Sequence, residues 1–383
     1  MLNAESAFII HPFPMIKVLS IFGTRPEAIK MAPVVGELVR HGDRIRSVVC
    51  VTAQHRRMLD QVLGLFGIVP EYDLNVMAPD QSLAQLTSQT LSGLDGVLRA
   101  EQPDWVLVQG DTTTAMVGAL AAFYRRVRVG HIEAGLRTWD RFAPFPEEIN
   151  RKIADAVSDL HFAPTDAARE NLLREGVSPA GIHVTGNTVI DALLDVAARE
   201  YDWPGGELAA IPRDRRLVLV TAHRRENFGA PLRALCDALR RIAAQYPDVH
   251  IVYPVHLNPN VYGPVHEGLG GIPNLTLLEP LDYLPLVQLM KAATLVLTDS
   301  GGIQEEAPGL GKPVLVLRDV TERPEGLAAG TVKLVGADPD RIVHETARLL
   351  DDPAEYQRMA RAVNPYGDGH ASPRIVAHLL AAS

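Results

Sequence analysis

Residues 16–33 have the sequence IKVLSIFGTRPEAIKMAP, and the fold prediction depends on this junction. An apolar, β-branched run ends at Gly23, which permits a tight turn. Pro26 suits the first position of a helix, because its missing N–H is not needed there. Pro33 cannot bond the carbonyl of Ile29, so we expect the helix to kink or restart at that point. The stretch is therefore predicted to form a strand, a turn and a helix.

The same succession of apolar strand, polar loop and amphipathic helix recurs along the chain. Continuous apolar strands that alternate with helices are typical of parallel sheets covered on both faces. The sequence therefore predicts an α/β protein with two doubly wound, Rossmann-like domains. The strand candidates of the first half are IKVLSIF, RSVVCVT, WVLVQG, RVGHIE, LHFAP and IHVTG, and those of the second half are RLVLVTA, VHIVYPV, LTLLEP, TLVLTD, PVLVLR and TVKLVG.

The strongest linker signal is the sequence WPGG within the stretch that separates the two sets of strands. Residues 1–14 lack the basic start and long apolar run of a signal peptide, and we expect a disordered or loosely docked extension. The predicted divisions are the extension at 1–14, an N-terminal domain at 15–190, a linker region at 191–210, a C-terminal domain at 211–365, and a C-terminal helix at 366–383 that can pack back on the first domain.

Composition excludes several classes of function. The chain is 47% hydrophobic and 22% charged, which is typical of a globular protein, and its net charge of −9 does not favour binding to nucleic acid or membranes. No apolar run approaches the roughly 20 residues of a membrane span. The two cysteines form neither a disulfide framework nor a metal-binding pattern, which fits a cytoplasmic location.

Ligands of doubly wound sheets bind at the carboxyl ends of strands, so polar residues that directly follow a strand are the candidates for a site. Arg25 and Lys30 follow the first strand at a helix N-terminus, where free N–H groups and cations attract an anion. The alternative is a charged loop in which Lys30 is solvated and Arg25 pairs with Glu27.

Carboxylates follow other strands of the first half. Asp111 either caps a helix or faces the site. Glu133 either points into the site or needs a buried partner, for which Arg137 is a candidate. Glu147 and Glu148 lie in the first turn of a helix, where the positive end of the helix dipole favours a carboxylate. This structural role accounts well for one of the two glutamates and less well for both.

The second half is predicted to bind phosphate. Paired glycines between a strand and a helix let a phosphate approach the backbone N–H groups, and a nearby glutamate is compatible with phosphate if it reaches a ribose diol. The sequence does not match the motifs of nucleotide triphosphatases or dehydrogenases. The division of carboxylates and cations between the halves suits a nucleotide sugar. The residues of this group are His223, Arg224, Arg225, His256, Ser300, Gly301, Gly302, Glu305, Glu306, Arg318 and Arg323.

From about Met15 onward, the chain resembles the non-hydrolysing UDP-N-acetylglucosamine 2-epimerases. The resemblance is carried, in order, by FGTRPEAIKMAP, QGDTTT, HIEAGLRT, PEEINR, TAHRREN, PVHLNPN, TDSGGIQEE and TERPE. It implies a glycosyltransferase-B architecture, with two domains facing across a cleft. It also implies reversible conversion of UDP-GlcNAc to UDP-ManNAc through a 2-acetamidoglucal, a role in surface polysaccharide synthesis, a homodimer, and no metal or redox cofactor.

The resemblance also implies roles for individual residues. Asp111, Glu133 and Glu147 correspond to acid/base groups, and the assignment of each to a face of C2 stays open; Lys30 and His223 correspond to catalytic support. The UDP ligands would be Arg25, His256, Ser300, Gly301, Gly302, Glu306 and Arg323. A second UDP-GlcNAc, acting as an activator, would contact Gln54, Arg57, Glu147, Arg224 and His256.

Two positions depart from the family pattern: Arg57 replaces a frequent glutamine, and Leu286 replaces a frequent aromatic residue near the uracil. Three other functions remain as alternatives. They are a UDP-GlcNAc glycosyltransferase of the same fold, a hydrolysing epimerase that releases ManNAc and UDP, and a nucleotide-sugar sensor without catalytic activity.

Overall fold

The computed structural model describes residues 15–52, 56–78 and 80–383. The chain divides into two compact units: the first contains the described residues up to Thr188 together with His370–Ser383, and the second contains Val189–Gly369. Both units are α/β, which confirms the predicted fold class. The predicted extension at 1–14 lies outside the described residues.

The first unit contains a parallel sheet in the order β3-β2-β1-β4-β5-β6-β7. Every predicted strand of the first half is present, and β3 is an additional strand that pairs with the end of β2. The strands are β1 (Ile16–Phe22), β2 (Ile45–Val51), β3 (Tyr72–Asp73), β4 (Trp105–Gln109), β5 (Arg128–Ile132), β6 (Leu160–Ala163) and β7 (Ile182–Val184). The helices are α1 (Arg25–Arg40), α2 (Arg56–Phe66), α3 (Leu83–Glu101), α4 (Thr113–Tyr124), α5 (Glu147–Val157) and α6 (Asp166–Arg174), and α7 (Thr188–Ala198) begins at the boundary with the second unit.

The second unit contains a parallel sheet in the order β10-β9-β8-β11-β12-β13, and all its predicted strands are confirmed. These strands are β8 (Arg216–Thr221), β9 (Val249–Pro254), β10 (Leu275–Leu278), β11 (Leu295–Thr298), β12 (Val314–Val316) and β13 (Val332–Leu334). The helices are α8 (Ala230–Gln245), α9 (Pro259–Leu269), α10 (Tyr283–Ala292), α11 (Gly301–Gly309), α12 (Pro324–Ala329), α13 (Pro339–Asp351) and α14 (Pro353–Ala360). A final helix, α15 (Ala371–Ala381), belongs to the first unit.

Apolar strands build a core on each face of both sheets. In the first sheet, Leu19 and Ile21 on β1 pack with Val106 and Val108 on β4 in a cluster that includes the inner face of α4. In the second sheet, one cluster covers the face toward α8 and α13, and another covers the face toward α10 and α11. Because both faces are covered, the polar chemistry is confined to the ends of the strands.

Helix α1 runs without a break through Pro33, so the expected restart at that residue is wrong. The buried residues of α1 lie on both sides of the proline, and their packing holds the two halves of the helix together. Helix α15 packs against α1, and Arg374 donates to the carbonyl of Thr185 at 3.1 Å. Across the described ranges, we find no helix with the length and apolarity that crossing a bilayer requires.

Candidate active site

The first unit brings its candidate residues together at the carboxyl ends of β1, β4 and β5. These strands are adjacent in the sheet, so the segments that follow them begin side by side. Lys30 lies on α1 after β1, Asp111 follows β4, and Glu133 follows β5. The winding of the sheet reverses between β1 and β4, which is where open α/β sheets bind ligands.

Glu133 is fixed by its backbone and by three donors. Its φ of +63° lies in the left-handed region that non-glycine residues seldom adopt, and the residue is only 5% exposed. Gln109 Nε2 donates to Oε2 at 2.7 Å, and Asn187 Nδ2 donates to Oε1 at 2.9 Å. Lys30 Nζ forms an ion pair with Oε1. An uncommon backbone conformation held by several partners is characteristic of functional positions.

The proposed pairing of Glu133 with Arg137 is not observed. Arg137 instead donates to Asp155 Oδ2 at 2.6 Å and also pairs with Glu175. His131 Nδ1 lies 2.5 Å from Asp155 Oδ1. Burial alone would raise the pKa of Asp155, but the contacts with His131 and Arg137 hold it well below its ordinary value. This buried network anchors α5 beneath the site.

Arg151 on α5 connects two of the candidate carboxylates. Its Nη2 donates to Asp111 Oδ2 at 2.6 Å and lies 3.8 Å from Glu133 Oε2, while its Nη1 donates to the carbonyl of Glu133. Burial lowers the pKa of Arg151, but the charges of Asp111 and Glu133 raise it more, so the guanidinium stays charged. The side chain of Asp111 is 32% exposed, which leaves this carboxylate accessible.

The N-terminus of α1 differs from the predicted anion site, because Glu27 already occupies part of it. The Glu27 carboxylate accepts from the N–H of Gly23 at 3.0 Å, from the N–H of Thr24 at 2.7 Å, and from the hydroxyl of Thr112 at 2.5 Å. Burial raises the pKa of Glu27, and these hydrogen bonds act in the opposite direction. The partner considered for Glu27, Arg25, is therefore not needed to satisfy this carboxylate.

The two glutamates at the start of α5 have different surroundings. Glu148 is buried and accepts from the backbone N–H groups of Thr138 at 3.0 Å and Trp139 at 3.2 Å. Glu147 is half-buried, and among the residues that the structure describes its carboxylate has no hydrogen-bonding partner. Glu148 thus has the structural role, and Glu147 is available for chemistry.

The second unit brings its candidates together at the carboxyl ends of β8 and β11. These strands are adjacent, and the winding of the second sheet reverses between them. His223 and Arg224 follow β8, whereas Ser300 and Gly301 follow β11. The predicted grouping of these four residues is therefore observed.

Asp299 joins these two strand ends. Its Oδ2 accepts from the backbone N–H groups of His223 and Arg224, both at 2.8 Å, and from Asn227 Nδ2 at 2.9 Å. The ring of His223 stacks on that of His256, with centroids 5.3 Å apart and planes inclined by 19°. Burial lowers the pKa of His223, and the nearby His256 and Arg224 act in the same direction, against Asp299.

The paired glycines open α11 directly after β11. Ser300 is the N-cap residue, and its side chain makes no capping hydrogen bond to the helix. A Cβ on Gly301 would lie 3.2 Å from Glu322 Oε1 and 3.7 Å from Arg224 Nη2, so a side chain here would crowd these two charged groups. A Cβ on Gly302 would lie 3.5 Å from a glutamate oxygen of the same helix. The helix start therefore offers N–H groups beside cations, as phosphate binding requires.

Charged residues around this loop are held by ion pairs and hydrogen bonds. Arg323 pairs with Glu305, and Tyr283 donates its hydroxyl proton to Glu306 Oε2 at 2.8 Å. On the outer side, Glu322 accepts from Arg318 at 2.5 Å and lies 3.5 Å from Arg224 Nη2.

Gln54 lies outside the described residues, and Arg57 belongs to α2 with a side chain that the structure does not describe. Leu286 packs against the hydrophobic core of the second unit. Over the described ranges, we find no group of three or more histidine, cysteine or acidic residues that could hold a metal ion.

Four residues of these clusters were not predicted from the sequence: Gln109, Asn187, Arg151 and Asp299. Gln109 and Asp299 could have been found, because each lies at the carboxyl end of a strand beside the reversal point of its sheet. Arg151 lies on a buried face of α5 that is itself mostly polar, so no apolar pattern marked it. Asn187 follows β7, far from the reversal point along the sheet, and no sequence pattern marks it.

Comparisons with known proteins agree with the resemblance. A family model described as UDP-N-acetylglucosamine 2-epimerase matches residues 37–380. The chain is 57% identical over 367 residues to the UDP-N-acetylglucosamine 2-epimerase of Escherichia coli O157:H7, covering 94% of this chain and 97% of that relative. It is also similar to the structure of UDP-GlcNAc 2-epimerase from Neisseria meningitidis bound to UDP-GlcNAc, with 50% identity, a TM-score of 0.85, and coverage of 96% of this chain and 100% of that chain. A glycosyltransferase of kitacinnamycin shares the fold alone, at 14% identity and a TM-score of 0.60.

Proposed function

The chain belongs to the UDP-N-acetylglucosamine 2-epimerase family, and on that basis we propose that it interconverts UDP-GlcNAc and UDP-ManNAc by epimerisation at C2. The observation that carries the proposal is the cluster at the reversal point of the first sheet. There Asp111 and Glu133 share Arg151, and Glu133 also pairs with Lys30. Paired carboxylates with charged partners are suited to moving a proton that is not itself acidic.

The reaction that fits these groups is an elimination followed by an addition. The bond from C1 to the UDP oxygen breaks with its electron pair on oxygen, a carboxylate takes the C2 proton, and a C1–C2 double bond forms. A proton then returns to C2 on the opposite face, and the UDP oxygen attacks C1. Two acid/base groups are needed, and Asp111, Glu133 and Glu147 are the candidates.

In the second unit, we propose that the N–H groups at the start of α11 bind the diphosphate, with Arg323 and His256 as further ligands. His223 would stabilise the charge that develops on the leaving oxygen. Glu306 would bind the ribose diol. Ser300, Gly301, Gly302 and, in the first unit, Arg25 complete the proposed set of UDP ligands.

The test is to incubate the purified protein with UDP-GlcNAc alone in D2O and to follow the products by NMR. The proposal predicts UDP-ManNAc that carries deuterium at C2. Free ManNAc with UDP would show a hydrolysing epimerase, and unchanged UDP-GlcNAc would indicate a transferase or a sensor. Asp111→Asn and Glu147→Gln should each reduce turnover by roughly 10²-fold or more.

We also propose that UDP-GlcNAc activates the enzyme at a second site containing Gln54, Arg57, Glu147, Arg224 and His256. An arginine at position 57 can bind a second diphosphate through charge-assisted hydrogen bonds. Starting from pure UDP-ManNAc, the reaction should show a lag that a trace of added UDP-GlcNAc abolishes. Arg57→Gln should change the concentration of UDP-GlcNAc that is needed to abolish this lag. A hyperbolic rate law without a lag would contradict activation.

We propose three further properties, the first from the cysteine pattern and the other two from the resemblance. They are a cytoplasmic location, a homodimeric assembly, and a supply of ManNAc-type sugars for surface polysaccharide. Analytical ultracentrifugation tests the dimer. Deletion of the gene, followed by sugar analysis of the cell surface, tests the role in polysaccharide synthesis.

A further inference from the structure

Asp299 has one carboxylate oxygen fully used and the other without a partner. The residue is completely buried, and Oδ2 accepts three N–H groups from the loop after β8. Oδ1 is also buried, but in the described part of the chain it accepts no hydrogen bond. A buried carboxylate oxygen without a hydrogen-bond donor is unfavourable, so we expect this atom to accept a hydrogen bond when the protein has its ligand bound.

A candidate donor is the ring of His223. Its Nδ1 lies 3.8 Å from Asp299 Oδ1, which is too far for a hydrogen bond. A modest rotation of the ring would close this gap by about 1 Å. The ring stacks on His256, which limits the planes in which it can turn. Asp299 therefore accepts one hydrogen bond from the backbone N–H of His223 and, after rotation of the ring, would accept a second from its Nδ1–H.

We propose that Asp299 is the positioning residue for His223 and that their side chains form a hydrogen-bonded dyad when a diphosphate binds. The inference rests on the proposed function, in which His223 serves the leaving group. In the dyad, Nδ1–H donates to Asp299 Oδ1, and Nε2–H faces an anionic phosphate oxygen. The imidazole takes its second proton from solvent on binding and keeps it, so no proton passes to the diphosphate.

The charges around the ring explain why the dyad awaits the ligand. Asp299 at the end of β11 favours the imidazolium form, whereas His256 after β9 and Arg224 on the same loop disfavour it. A bound diphosphate adds negative charge on the open side and offsets the effect of these two neighbours on His223. Protonation of His223 is thereby tied to the presence of the anion that it is to stabilise.

The first experiment uses the wild-type protein labelled with ¹⁵N in its histidines. We expect saturation with UDP to raise the pKa of His223, and the Nδ1–H signal to show a hydrogen bond to a carboxylate. A His223 ring that stays neutral and without this hydrogen bond in the UDP-saturated protein would overturn the proposal, whatever any variant does.

The second experiment is Asp299→Asn. The amide oxygen can keep the three N–H groups of the loop, which places the amide NH2 toward His223 Nδ1 and favours the neutral ring. We expect kcat to fall by roughly 10- to 100-fold with KM within about threefold, and UDP to leave the pKa of His223 unchanged. The matched control is Asp351→Asn, which removes the same charge from a carboxylate that accepts from Tyr246 in the same unit, and it should leave kcat unchanged.

The outcomes separate this inference from the proposed function. A wild-type protein that places no deuterium at C2 would contradict the proposed function itself. A wild-type protein that epimerises, together with an Asp299→Asn variant of normal kcat and normal His223 titration, would leave the function intact and refute the dyad. If the variant does not fold, the wild-type NMR experiment still decides.

Discussion

Replacing Glu133 with glutamine should reduce both stability and turnover, for separable reasons. The carboxylate accepts from Lys30, Gln109 and Asn187, and its side chain is 4% exposed. Glutamine keeps one acceptor oxygen and turns an NH2 group toward at least one of these donors. Lys30 is 17% exposed and can turn toward water. The expected loss in free energy of unfolding is therefore about 1.5–3 kcal/mol, the range for a hydrogen bond to a charged group.

The expected loss of turnover comes from proton transfer and is on the order of 10²-fold or more, equivalent to about 2.7 kcal/mol or more in the barrier. The assay is deuterium incorporation at C2 by NMR, with stability measured by urea denaturation on the same sample. Saturating UDP-GlcNAc keeps changes in binding out of the comparison.

The matched control is Glu101→Gln, at the opposite end of the first sheet. Glu101 is also buried, lies 3.1 Å from Lys17, and accepts from the Tyr72 hydroxyl at 2.7 Å. The Glu101→Gln variant should lose a similar free energy of unfolding and keep the turnover of the wild type. If Glu133→Gln turns over within about threefold of this control, Glu133 is structural, and its assignment as an acid/base group is refuted.

Three further outcomes are expected. Asp155→Asn should lower the free energy of unfolding by about 3 kcal/mol at pH 7. Because the native pKa of Asp155 is depressed, its stabilisation is present above the ordinary value of 3.8 and is lost as the pH falls toward the native pKa, so the denaturation curves of variant and wild type should converge in acid. Cys50 and Cys236 should react slowly with a thiol reagent at pH 8 until the protein unfolds, because burial raises their pKa values to about 12 and about 11; fast native labelling would contradict this. Gly135→Ala should lower the free energy of unfolding by about 3 kcal/mol or more, because its Cβ would lie 2.3 Å from a backbone carbonyl at a φ of +83°. Gly176→Ala, at a φ of +87° in open space, should lower it by only about 1 kcal/mol, as measured in the same thermal melt.

Much of the fold could be predicted because its signals are local. An apolar run such as IKVLSIF has few alternatives to a buried parallel strand, and the strands predicted in this way are all present. β3 escaped prediction because it has only two residues, Tyr72 and Asp73, and owes its conformation to pairing with Cys50 and Val51. The restart expected at Pro33 did not occur, since packing on both sides of a proline outweighs one missing hydrogen bond.

The site was harder to predict than the fold because its pairings are not local. Arg137 lies only four positions after Glu133, but the two residues are separated by a turn that contains Gly135 at a φ of +83°. After this turn, Arg137 forms an ion pair with Asp155 instead. The donors that do reach Glu133 come from the ends of β4, from α1 and from the segment after β7. Only the order of the strands brings such positions together, and that order is not written in any single stretch of sequence.

The return of α15 to the first unit has a consequence for how the protein is made. Helix α15 packs on α1, and Arg128 and Trp105 contact the residues at its end through Ala382 and Ser383. On the ribosome, the first unit is therefore complete only after the whole second unit, roughly 180 residues, has been made, which takes on the order of 10 to 40 seconds at typical rates of synthesis. During that interval the apolar face of α1 that receives α15 is uncovered, while the second unit, whose residues are contiguous, can already fold. The nascent first unit is thus the part of the chain that exposes this apolar surface for the longest time.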